Sequence, residues 1–274
     1  MKINNTAFLI PIHPPHYHFI YDLVNKCKIN DIELDIFLVF SNNTDYDTFT
    51  MKNEIHPIIC DSLITNSLIT SSIVTYKKFF GLKHLANSKY DYIICCDSEI
   101  DIICDNFTNE VINNKIENIF TNKKIYAGNT NEGMIVQITQ MSANIFPDKI
   151  DVLKDITKDY TLYFWWSDLP AYRRDDITPF FNMINYDNIT WFHFDYIMYQ
   201  YYLILYHGFE IINTTPITNL MWSLERLCTS DIGILNKLVD INYGFSWNSQ
   251  KMYELNKEFI HSQKGFLIYH LDRQ

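Results

Sequence analysis

Four short apolar runs in the first hundred residues, separated by stretches of helical period, constrain this chain more than any other feature. They are "TAFLIPI" (residues 6–12), "LDIFLVF" (34–40), "HPIIC" (56–60) and "YIICC" (92–96). None of the four alternates apolar with polar residues, so each reads as a strand buried on both faces. Between the first two lies "HPPHYHFIYDLVNKCKIN". Pro15 suits a first helical turn there, and Phe19, Ile20, Leu23, Val24 and Cys27 recur at helical spacing. Before the fourth lies "SIVTYKKFFGLKHLAN", which predicts a helix with Val74, Phe79, Leu82 and Leu85 inward, although Gly81 weakens it. "SNNTDYD" reads as a polar stretch that closes the second strand. Strand, helix and strand in repeated order predict an α/β fold with a mainly parallel central sheet and helices on both faces.

The chain has 274 residues, 47% of them hydrophobic, enough for a large single core. One domain over 1–274 is expected, with a half at 1–105 and a more aromatic half at 106–274. With only 7 glycines there is no G-x-G-x-x-G and no P-loop, so those phosphate-binding loops are excluded. No internal repeat or low-complexity linker occurs. The formal net charge is −10 and no Lys/Arg-rich run is present, which argues against nucleic acid as a partner. A polyanionic ligand would have to be met locally, by a side-chain cation or a metal. Cys95 and Cys96 sit inside an apolar run and read as buried thiols of a reducing compartment. The N-terminal apolar run is too short for a signal peptide, and the most apolar stretch, near Gln200 and His207, is too short to span a membrane. A cytoplasmic location is the expectation.

After residue 120, "KKIYAGN" reads as a strand and "WFHFDYIMYQYYLILYHGF" (191–209) as a helix that starts near His193–Asp195. "GFLIYHLDR" reads as a strand followed by His270, Asp272 and Arg273.

The chemistry concentrates where the fourth strand ends. In "YDYIICCDSEIDII" the apolar run stops at Asp97, and Glu99 and Asp101 follow at alternate positions. In an extended chain all three would face one side. Ligands of doubly wound sheets bind beyond the carboxyl ends of the strands. Carboxylates held close together repel unless a cation lies between them, and hard oxygen donors suit Mg²⁺ or Mn²⁺. A solvated acidic turn is the plainer alternative.

This segment, with the βα organisation before it, resembles the D-x-D region of nucleotide-sugar glycosyltransferases of the GT-A fold, here with Glu99 as the second acid. The resemblance implies a GT-A-like fold and a sugar nucleotide, most simply a UDP-sugar, as donor to a glycan or other hydroxyl acceptor. It implies Mn²⁺ (or Mg²⁺) at Asp97 and Glu99, with a late histidine, His270, completing the shell. It implies nucleotide contacts from Pro11, Ile12 and His13 in the first strand and its loop, from Lys77 and from Asp97–Ser98. Solvated lysines on a helix face are the alternative for Lys77 and its neighbour Lys78. Trp165, Trp166, Asp168 and Tyr172, in an aromatic stretch with polar interruptions, would form a sugar or acceptor platform, against an alternative of core packing. Asp195, at a helix start, is the nominated general base, with His193 as a further acceptor-side group. Simple helix capping by Asp195 is the competing reading. Two other function classes fit the same residues, a metal-dependent nucleotidyltransferase and a non-catalytic sugar-binding module.

Overall fold

The computed structural model describes residues 6–60, 73–102, 107–127, 133–156, 169–184 and 189–213, with short pieces at 245–246, 258, 262 and 267–269. The four apolar runs are strands β1 (Thr6–Pro11), β2 (Asp35–Phe40), β3 (His56–Ile59) and β4 (Tyr92–Cys95). They lie in the order β3-β2-β1-β4 and are mutually parallel, with Leu9 opposite both Phe37 and Cys95. A fifth strand, β7 (Ala171–Arg173), joins the far edge antiparallel to β4. The mixed α/β architecture with a mostly parallel central sheet is as expected. The antiparallel strand comes out of the stretch read as an aromatic platform.

Both faces of β1 are covered. Helix α1 (Tyr17–Ile29) buries Ile20, Leu23, Val24 and Cys27, at the spacing read from the sequence. Pro15 belongs to a short 3₁₀ turn, Pro14–His16, that precedes α1 rather than to α1 itself. Helix α3 (Ile73–Leu85) crosses β1 and β2 so closely that a Cβ on Gly81 would lie 2.5 Å from Leu9 Cδ1 and 2.9 Å from Val39 Cγ2. That glycine, a weakness by helix propensity alone, is where the helix meets the sheet. Phe8, alternating with Leu9, points the other way, its ring 6.5 Å from that of Phe107. Phe107 leads into α4 (Asn109–Asn122), whose first turn is capped by Thr108 Oγ1 accepting from the Val111 amide.

Three local expectations fail for physical reasons. The polar stretch after β2 forms a short helix, α2 (Asn43–Thr48), because the Asn42 side chain accepts from the Asp45 amide at 2.8 Å. Val74 is 44% exposed, while Lys77 and Lys78 point inward at 4% and 8% exposure. The apolar stripe of α3 therefore starts a turn later than its sequence suggests, and charge enters the interior in its place. Finally, the acidic residues do not stay in one extended segment.

The remaining described elements are β5 (Asp101–Ile102), β6 (Lys124–Ala127), α5 (Gly133–Ala143), α6 (Ile150–Ile156), α7 (Arg174–Asn182), α8 (Asp195–His207), β8 (Glu210–Asn213), β9 (Phe245–Ser246) and β10 (Leu267–Tyr269). Helix α8 buries every residue from Asp195 to Leu203, as a helix apolar all round must. It ends at Gly208, whose φ of 68° is the left-handed cap that glycine favours. Strand β10 pairs antiparallel with β5, and β6 pairs in parallel with β8. Among the described residues no helix is long and apolar enough to cross a membrane.

Candidate functional site

The strand order reverses between β1 and β4. β1 leads to β2 on one side, and after β3 the chain returns to place β4 on the other. Loops leaving two such strands diverge, and the crevice between them is where doubly wound sheets bind ligands. Here the loop after β1 supplies Ile12, His13 and His16, and the loop after β4 supplies Asp97, Ser98 and Glu99.

The two loops touch. His16 Nδ1 lies 2.6 Å from Ser98 Oγ, and Ser98 donates to Glu99 Oε2 at 3.0 Å. Ser98 has one hydroxyl proton, so giving it to Glu99 makes the His16 Nδ1–H the donor to Ser98 Oγ. The His13 ring packs on His16 with centroids 3.9 Å apart.

The chain bends at Ser98, and the three carboxylates part company. Asp97 pairs with Lys78 at 2.9 Å, Glu99 faces His16, and Asp101 pairs with Lys26 on α1. The common acidic face expected from an extended segment is therefore corrected. Lys78 supplies a side-chain cation to Asp97.

Lys78 is the centre of a buried chain of contacts. Its Nζ lies 2.9 Å from Asp97 Oδ1 and 2.9 Å from Asp195 Oδ1. Tyr172 donates its hydroxyl to Asp195 Oδ2 at 2.9 Å. Burial works against the Lys78 charge, but Asp195 and then Asp97 more than offset it and hold its pKa well above the ordinary lysine value. Burial, followed by the nearby Asp195 charge, raises the Cys95 thiol and makes it unreactive. Lys77 turns the other way and donates to the Ile12 carbonyl at 2.6 Å, at the end of β1.

The candidate residues sort accordingly. His13, Asp97, Ser98 and Glu99 lie on the two loops that leave the sheet at the switch point, Ser98 buried at 4% exposure. Pro11 and Ile12 are buried, Ile12 at 1% exposure, so the side chain of Ile12 is core and its carbonyl is held by Lys77. Lys77 and Lys78 are buried rather than solvated, which overturns the surface alternative. Tyr172 is fully buried in β7 and stacked on Tyr199 at 4.4 Å, so it is a core residue and not part of a sugar platform. His193 is buried and its Nδ1 accepts from the Thr190 amide at 3.0 Å, while burial lowers its pKa.

Asp195 is 4% exposed, and each of its oxygens already accepts a bond. It does not cap α8 either, because the N-cap is Phe194 and no side chain caps that end. In this geometry its carboxylate is buried against Lys78 and Tyr172, which is no position for a general base that must meet an acceptor hydroxyl. Lys78 is the residue that sequence reasoning undervalued. The only signal was a pair of adjacent lysines within an apolar helical stripe. Trp165, Trp166, Asp168 and His270 lie outside the described residues.

Asp97 and Glu99 are hard oxygen donors of the kind Mg²⁺ and Mn²⁺ take. Among the described residues no three His, Cys, Asp or Glu side chains gather as a metal site. β10 ends one residue before His270 and runs beside Asp101–Ile102, with Ile268 opposite Asp101. An open cavity lined by Thr6, Cys27, Asp35 and Asn113 lies at the amino ends of β1 and β2, away from the switch point.

No protein-family model matches this chain, and no curated protein does. A solved structure of CMP:2-keto-3-deoxy-manno-octonic acid synthetase complexed with CTP is similar over 77% of this chain and 90% of that chain, at 8% identity and a TM-score of 0.37.

Proposed function

We propose that the chain is a nucleotide-dependent transferase that moves a sugar from a nucleotide-diphosphate sugar, most simply a UDP-sugar, to an acceptor hydroxyl. One observation carries this reading. The acidic segment Asp97–Glu99 stands at the carboxyl end of β4, at the switch point of the sheet, where Ser98 meets His16 of the loop after β1. In the reaction the acceptor oxygen bonds to the anomeric carbon, the bond from that carbon to the diphosphate breaks, and the acceptor proton passes to a base. Asp97 and Glu99, with His270, would hold Mn²⁺ or Mg²⁺, which would offset the negative charge of the departing diphosphate. His13 and the turn that follows it would face the nucleoside. Trp165, Trp166 and Asp168 are proposed for the acceptor side on sequence grounds.

Nucleotidyl transfer is the competing chemistry, and the products separate the two. The test is to incubate the full chain with UDP-sugars and Mn²⁺ and identify the nucleotide released. UDP, with Asp97→Asn and Glu99→Asn each reducing turnover at least about a hundredfold, supports glycosyl transfer. UMP would move the assignment to phosphoryl chemistry. Saturable binding without turnover of any sugar nucleotide would leave a binding module.

A further inference from the structure

The two anionic partners of Lys78 are not equivalent. Asp195 has a side chain only 6% exposed, sits in the first turn of the buried helix α8, and is fixed from behind by the Tyr172 hydroxyl. Asp97 has a side chain 30% exposed and belongs to the loop that bends at Ser98. One partner is therefore built into the core, and the other stands at the crevice. Lys78 is itself anchored in the middle of α3, the helix packed on β1, β2 and β4. A cation held rigidly from one side and covered from the other by a solvent-facing carboxylate has the form of an anion receptor occupied by an internal anion.

We propose that Lys78 is the phosphate receptor of the crevice, and that Asp97 occupies the receptor position until a phosphoryl group of the ligand displaces it. This rests on the proposed nucleotide-sugar reading for the identity of the natural ligand, but the exchange itself requires only a phosphoryl anion. The charge balance explains why the exchange is gated. Among the described residues, one ammonium between two carboxylates leaves one negative charge in excess, so the unliganded cluster repels a phosphate. Removing the Asp97 charge, by substitution or by a cation that draws the carboxylate away, turns the position from repulsive to attractive. Lys77 cannot serve in the same way, since its ammonium is committed to the Ile12 carbonyl in the end of β1. No covalent step is involved. One ion pair opens as another closes.

The experiment is calorimetric titration of the full chain with inorganic pyrophosphate and with UDP, in EDTA so that no metal contributes. Asp97→Asn keeps the shape of the side chain and removes its charge. It should raise the affinity for both probes by about tenfold or more. Glu99→Gln removes the same charge from a carboxylate that pairs with His16 and not with Lys78, so it measures the general field of the crevice and should change affinity less than about threefold. Asp97→Asn/Lys78→Met should lose the gain. If Lys78→Met variants fail to fold, Asp97→Asn/Lys78→Arg replaces them and should shift the affinity away from the Asp97→Asn value.

Equal affinity of Asp97→Asn and the parent chain, equal gains from Asp97→Asn and Glu99→Gln, or absence of pyrophosphate binding in every folded variant would each overturn the proposal. The expected pattern together with no turnover of sugar nucleotides would retain the receptor and refute the transferase reading. Turnover without the pattern would do the reverse.

Discussion

Replacing Lys78 by methionine tests whether the buried ion chain ties α3 to α8. Methionine keeps most of the volume and the helix propensity of lysine, so the change isolates the charge. Lys78 is 8% exposed and Asp195 4% exposed, so among the described residues Asp195 would be left as a buried carboxylate supported by the Tyr172 hydroxyl alone. Breaking a buried pair by removing one partner costs about 3–5 kcal/mol. The pair to Asp97 adds little, because that carboxylate is partly exposed and can turn to water. Asp195→Asn in the Lys78→Met background removes the stranded charge while keeping its shape. That double variant should recover most of the loss and leave a deficit of about 1–2 kcal/mol from one weakened hydrogen bond. Urea unfolding followed by tryptophan fluorescence and by far-UV circular dichroism measures all four members of the cycle. A Lys78→Met loss below about 1 kcal/mol, or additive effects of the two substitutions, would show that Lys78 and Asp195 do not form the buried pair described.

Gly81→Ala sets two effects against each other. Helix propensity favours alanine by about 1 kcal/mol, whereas a Cβ 2.5 Å from Leu9 Cδ1 and 2.9 Å from Val39 Cγ2 must displace those buried side chains or move α3 away from the sheet. Overpacking of this kind costs about 1–3 kcal/mol, so the urea midpoint should fall, and a rise would mean that α3 does not cross β1 and β2 this closely. His193 gives a pH signature. Burial lowers its pKa below the ordinary 6.5, so its contribution to stability is full above that value and is lost as pH falls through the lowered pKa, because the unfolded chain binds the proton more readily. The parent chain should therefore lose more stability between pH 7 and pH 5 than His193→Gln does, and parallel pH profiles would refute the assignment.

The β-strand skeleton was legible because parallel strands covered on both faces must be continuously apolar, and "TAFLIPI", "LDIFLVF", "HPIIC" and "YIICC" leave no other economical reading. Helix α1 was equally legible from its repeat of buried positions. The same local pattern misjudged α3, where Val74 faces water and Lys77 and Lys78 face inward. No local rule assigns a lysine to the interior, since only a distant partner makes that placement favourable. The position of the candidate site at the end of β4 also followed from the sequence, through the abrupt change from apolar run to carboxylates.

What each carboxylate does was decided elsewhere. The bend at Ser98 sends Asp97, Glu99 and Asp101 to Lys78, His16 and Lys26, and an alternation argument that assumes an extended chain has no means of foreseeing it. The platform reading of Tyr172 failed for the same reason, because its three-residue strand is recognisable only when β4 is beside it. Asp195 stands 117 residues from Lys78 and 23 from Tyr172. By itself the sequence determined which segments become strands and helices, and at which strand end charge collects, because those depend on the period of neighbouring side chains. Only the tertiary structure decided which cation meets which anion, because ion pairing is set by separation in space, and folding brings to 2.9 Å groups whose separation along the chain carries no trace of it.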